Sequence, residues 1–159
     1  MTSHALHHYP AAGELPRWVL VGFIAGALSV LVFHQGVLAL LYAFELAPRA
    51  PYAMAPTAPF GIPALWSIVF WGGIWGALLA ASLGRLDGVR LVAAAVLFGA
   101  LLPTLAALFL VAPLKGQPVV TGIVPLVILI GGLVNGAWGL GTGIGLALFG
   151  RAHVDRRQA

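Results

Sequence analysis

The sequence predicts an all-α integral membrane protein of four transmembrane helices, and three observations lead there. Four apolar stretches, residues 18–46, 62–83, 89–111 and 122–149, each reach the roughly 20 residues that cross a bilayer. Charged residues make up 8% of the chain, against about 25% in soluble domains. With 61% hydrophobic residues and a mean hydropathy of +1.03, the chain carries more hydrocarbon than a small soluble core can bury.

What is left over is small: a tail of residues 1–17, short connections, and a tail of residues 152–159 around the transmembrane domain of residues 18–151. Arg17, Arg85, Arg90, Arg151, Arg156 and Arg157 fall on one side of a four-span topology, and Arg49 and Lys115 on the other. Short loops follow the positive-inside bias, so both termini are expected in the cytoplasm. That distribution also accounts for the basic pI of about 10.4. No Lys/Arg-rich run with interleaved aromatics suggests a nucleic-acid partner. Cysteine is absent, which removes disulfides, thiolate metal sites and thiol catalysis. The first stretch is about twice as long as a signal-peptide apolar region, so it is expected to remain as a span.

Apart from Arg90 at the edge of the third stretch, two clearly ionisable residues lie inside these segments: His34 and Glu45. His34 is near the middle of the first stretch, followed by Gln35 and Gly36. Polar groups at that depth are costly and face protein or water. Three roles suit the imidazole: a neutral hydrogen-bonding group, a proton or transport group, or a cofactor ligand. No second histidine lies in a span for bis-histidine ligation; His4, His7, His8 and His153 are in the tails. Glu45 lies on the same helical face about 16 Å further along, four residues before Arg49, a favourable order for a helical ion pair.

The connection that follows holds five prolines between Ala47 and Pro63, with Tyr52, Met54 and Phe60. It is expected to be extended and to lie against the membrane surface or a partner. The second stretch pairs Gly72 with Gly76, the spacing that lets two helices approach closely. On another face Trp71 and Trp75 stand one turn apart, deeper than the interfacial belt where tryptophan collects. Their N–H groups need acceptors. Packing within the bundle is one reading, and contact with a quinone, pigment, lipid or another subunit is the other. Pro103-Thr104 interrupts the third stretch and predicts a kink. In the fourth, Gly132, Gly136, Gly139 and Gly143 form one small-residue stripe, Gly141 and Gly145 a second, and Asn135 supplies an amide for interhelical bonding.

Two hairpins share an order of landmarks. Arg17 and Gly26 have the separation of Arg90 and Gly99; Ala47-Pro48 matches Ala112-Pro113, Trp75-Gly76 matches Trp138-Gly139, and Gly84-Arg85 matches Gly150-Arg151. Two tandem hairpins of two spans each would form a parallel repeat.

The chain offers no Ser–His or carboxylate pair, no metal-ligand cluster in the spans and no phosphate-cradling glycine loop, so an enzyme is not expected. No cofactor follows from the residues. The expected role is a non-catalytic subunit or assembly partner of a larger inner-membrane complex, respiratory or photosynthetic. The alternative is a small oligomeric transporter or channel using His34 and Asn135. The expected surroundings are the lipid bilayer of a bacterial inner membrane with other membrane subunits or further copies of the chain.

Overall fold

A computed structural model describes residues 15–116 and 125–151. Expectations resting on His4, His7, His8, His153, Arg156, Arg157 and Gly122 lie outside the described residues. Four helices are long and apolar enough to cross a membrane: Pro16–Ala43, Ala64–Leu83, Gly88–Leu114 and Leu126–Phe149. They pack as antiparallel neighbours, each hairpin along its length, and the first span also packs along the fourth. One end of the bundle carries Arg17, Arg85 and Arg90 and is called the arginine end; the other carries the proline-rich connection.

The two hairpins close by backbone contact. A methyl group added at Gly26 would collide with the Gly72 carbonyl and Gly76 Cα, and one added at Gly76 with the Gly22 carbonyl. In the other hairpin, a methyl at Gly99 would meet the Asn135 carbonyl and Gly139, and one at Gly139 the Ala95 carbonyl. Apolar side chains gain little by leaving lipid, so close packing of this kind holds spans together. The fourth span uses both small-residue faces: Gly139 and Gly143 meet the third span, whereas Gly141 and Gly145 meet Ser29, Phe33 and Ala25 of the first. Gly132 and Gly136 approach Ala100 more loosely, at 3.9 and 3.5 Å.

Hydrogen bonds reinforce the contact between first and fourth spans. The Trp138 indole donates to Gly26 O at 2.9 Å, and the Ser29 hydroxyl donates to Trp138 O at 2.6 Å. Leu79, Ala80, Leu91, Ala95, Val30, Trp138 and Leu146 form the buried core. Across the first hairpin the Trp18 indole donates to Ala80 O at 2.8 Å.

Helix ends differ from the sequence expectation at the proline-rich connection. The first helix stops at Ala43, because Glu45 takes a positive φ of 59° and Leu46 N–H bonds back to Leu41 O, a helix-ending pattern usual for glycine. The expected Glu45–Arg49 pair is not formed: no helix continues there to bring the two together. Residues 62 and 63 belong to a two-residue antiparallel pair, Pro56–Thr57 with Ile62–Pro63. The loop then caps the second span, Ala64 and Leu65 donating to Ala55 O and Ala53 O, which satisfies N–H groups a helix start leaves open. Within the third span the helix runs through Pro103 and widens to π geometry over Ala107–Val111. A second π segment, Val30–His34, lies in the first span.

The glycines differ in what surrounds them, which gives a direct test. Gly36 has nothing within 4 Å of an added methyl, so Gly36→Ala should be neutral or stabilising by up to about 1 kcal/mol through helix propensity. Gly76→Ala should lower the unfolding temperature and separate the hairpin. Thermal unfolding of both variants in detergent checks the contrast; equal behaviour would mean the Gly22–Gly76 seam is not what joins the spans.

Candidate functional site

Two places stand out, one for its unusual backbone and buried polar cluster, the other for indoles without acceptors among the described residues. The first is built on the π segment Val30–His34. Widening a helix shifts its ladder by one residue, and such segments occur often at functional sites. Here Gln35 N–H is shared between Val30 O and Val32 O and passes over Leu31 O. The Tyr52 hydroxyl donates to Leu31 O instead, at 2.9 Å. Tyr52 N–H donates to Gln35 Oε1 at 2.6 Å, and the Gln35 amide group stands 3.4 Å from His34 Nδ1. When that amide donates, the imidazole proton sits on Nε2. Gln35 is 1% exposed, and Tyr52 holds a positive φ of 52°, a conformation a bulky residue adopts only when its surroundings enforce it. Its two hydrogen bonds do so.

The register relocates His34. Val30 meets Gly72, so His34, one turn on, lies level with the first turns of the second span. It is central in its own long helix, but near the proline-rich end of the bundle. The first span has 28 residues and the second 20, so the first outruns its neighbour. Glu45, at the exposed helix end, lines a shallow depression of about 440 Å³ with Tyr42, Ala43, Ala47 and Pro48.

The second place is the seam between the second and third spans. These helices adjoin at the arginine end and meet as far as an edge-to-face contact of Trp75 with Phe98, ring centroids 6.1 Å apart. One turn further along the same two faces stand Trp71 and Leu102, 56% and 44% exposed. The seam has parted there. The Trp71 ring meets Phe70 edge-on, and Phe70 in turn meets Phe23. Neither the Trp71 nor the Trp75 N–H has an acceptor among the described residues; the bonded indoles are Trp18 and Trp138.

Asn135 is not part of either place. Its amide donates to Thr104 Oγ1 at 2.9 Å, tying the fourth span to the third beside Pro103. Thr142 donates to Trp138 O within its own helix, at 2.8 Å. Gly72 touches Val30 and lies 3.3 Å from the Trp138 indole nitrogen, measured from its added methyl. Among the described residues no group of three or more His, Cys, Asp or Glu side chains is placed to hold a metal ion. No local pattern announces the Gln35–Tyr52 bond or the π segments, and the bond depends on where the proline-rich loop lands. Comparison with family models, curated proteins and solved structures finds no match.

Gln35 holds the loop to the first span, and its removal should show this. Gln35→Leu leaves Tyr52 N–H without its acceptor and should cost about 1–3 kcal/mol, whereas Gln35→Glu keeps an acceptor and should cost less. Hydrogen exchange at the Tyr52 amide, together with thermal unfolding, measures both; an unprotected Tyr52 amide in the parent chain would remove the premise.

Proposed function

We propose that this chain is a non-catalytic integral subunit or assembly partner of a larger inner-membrane complex, respiratory or photosynthetic. One observation carries the reading. The polar groups inside the bundle are engaged within the chain: Ser29, Gln35, Asn135 and Trp138 hold helices and loop together, and Thr142 bonds within its own helix. Meanwhile large aromatic side chains remain uncovered on one side, with Trp66, Phe70 and Trp71 exposed along the second span. A scaffold that joins other membrane components needs this combination of a finished interior and an unfinished surface.

In this reading the chain sits in a bacterial inner membrane with both termini in the cytoplasm, from the six-to-two distribution of basic residues. It arose as two tandem hairpins. The seam contacts support that descent: Gly26 stands to Gly72 and Gly76 as Gly99 stands to Asn135 and Gly139, and Gly76 to Gly22 as Gly139 to Ala95. Each of these pairs follows from the alignment of Arg17 with Arg90 and Trp75 with Trp138.

The orientation is tested by cysteines placed at Ala50 and Asp87. An impermeant maleimide added to spheroplasts should label Ala50→Cys and spare Asp87→Cys; the reverse pattern would invert the topology. The role is tested by solubilising the tagged chain at its native expression level in mild detergent. A discrete assembly containing other subunits at fixed stoichiometry is expected, and His34→Gln should preserve it, because glutamine keeps a donor and an acceptor. A chain that purifies alone and gives liposomes a flux abolished by His34→Gln or Asn135→Leu would replace this reading with the transporter.

A further inference from the structure

We propose that the depression at the end of the first span seats the headgroup of an aminophospholipid, its primary ammonium against the Glu45 carboxylate. Tyr42, Ala43, Glu45, Ala47 and Pro48 line a hollow of about 440 Å³, within the roughly 300–1,000 Å³ of small-molecule sites. The carboxylate is exposed and engages no donor among the described residues. Glu45 follows directly on the helix end, whose dipole adds negative potential there. It also holds a φ of 59°, at a helix-ending position where glycine is the usual residue. Ending the helix would be served better by glycine, so the chain keeps a carboxylate here against a backbone preference, a pattern typical of functional positions.

Depth selects the ligand. Arg17 and Ala43 are about 39 Å apart along the helix, close to the roughly 40–45 Å of a bilayer with both headgroup layers included. With Arg17 in one headgroup layer, Glu45 stands in the other, where the cations at hand are lipid ammonium groups. An acyl path reaches the same place. Val32, Leu40 and Phe44 are exposed at eight- and four-residue spacing, and Gly36 between them has nothing within 4 Å of an added methyl. Leu40 and Ala43 share a helix face as third neighbours, so this stripe runs up to the hollow's edge. A tail held along it keeps the headgroup at high effective concentration, which suits a shallow, open hollow. A primary ammonium brings three N–H donors for the carboxylate and the Tyr42 hydroxyl. A quaternary head needs an aromatic cage, and of the lining residues only Tyr42 is aromatic. The exposed Arg49 follows the lining residue Pro48, which puts a guanidinium at the rim for the lipid phosphate. The reading needs no partner complex, so it stands or falls apart from the subunit role.

The test uses the full chain, delipidated in detergent, with dioleoyl-phosphatidylethanolamine, dioleoyl-phosphatidylcholine and soluble phosphoethanolamine as probes. Native mass spectrometry should show one retained ethanolamine lipid, bound about tenfold more tightly than the choline lipid, the difference of roughly one charge-assisted hydrogen bond. Phosphoethanolamine, which has the headgroup and no tail, should not be retained. Glu45→Gln keeps the side chain's size and should bring the ethanolamine lipid down to the choline lipid's affinity. Glu45→Gly suits the left-handed position, so it should unfold at or above the parent's temperature while losing the same preference. Equal affinity for the two lipids in the parent, retention of phosphoethanolamine, or a preference that survives Glu45→Gln would each overturn the proposal. A Glu45→Gly variant that unfolds below the parent would assign the carboxylate to the fold and overturn it as well.

Discussion

Backbone touching backbone at glycine is the contact on which this bundle depends. Lipid exerts no squeeze on apolar side chains, so spans gain by packing only where they can come close. At Gly22, Gly26, Gly72 and Gly76 in one hairpin, and Gly99, Gly139 and Gly143 in the other, an added methyl would run into a neighbouring helix. Contact this close leaves little freedom of register. Once the register is set, the Trp138 indole comes within reach of Gly26 O and the Ser29 hydroxyl within reach of Trp138 O. These polar bonds depend on the approach and would not form at the spacing of leucine-lined helices.

The same rule explains why the bundle is closed on one side and parted on the other. Between the first and fourth spans the facing residues are Ala25, Ser29, Gly141 and Gly145. Between the second and third they include Trp75 and Phe98, which meet edge-to-face and prop the helices apart. Under the proposed duplication, Trp75 and Trp138 are counterparts with different fates. Trp138 is buried and bonded; Trp75 rests against a phenylalanine, and its N–H has no acceptor among the described residues. A repeat that diverged by enlarging one seam would acquire a lateral cleft without altering the hairpins themselves.

Much of the architecture could be read from the residues, because bilayer-length apolar runs and small-residue spacing act locally. The four spans and the glycine pairs Gly72 with Gly76 and Gly139 with Gly143 were visible in this way. Helix ends were less legible at the proline-rich connection. Glu45 occupies a left-handed position that sequence would give to glycine, and Ile62 and Pro63 pair with Pro56 and Thr57 instead of opening the second helix. The polar cluster was legible only by half: His34 and Gln35 stand out in any hydropathy reading, whereas Tyr52 reaches them through a loop fold that no local pattern encodes. For the tryptophans the sequence posed the right question, what accepts their N–H, and left the answers open. Trp18 and Trp138 find backbone carbonyls within the chain, and Trp71 and Trp75 find none among the described residues.

Depth within a helix and depth within a bundle are different quantities, and here the difference decides which residues count as interior. The first span is about 42 Å long and the second about 30 Å at the helical rise per residue. The surplus extends past the second span at the proline-rich end, and just before it, level with the second span's first turns, the π segment, Gln35 and the Tyr52 hydroxyl lie together. A polar cluster at that level satisfies its groups through a loop folded back over the helix end, which is the economical arrangement near a boundary. Tyr52 closes the carbonyl that the π segment leaves, so the loop and the surplus turn stabilise one another. His34 is then part of how a long helix ends beside a short one. At the level of the second span's own middle the polar atoms in question are the indole nitrogens of Trp71 and Trp75, which have no acceptor among the described residues. Composition singles out the histidine, whereas the bonding pattern singles out the tryptophan pair.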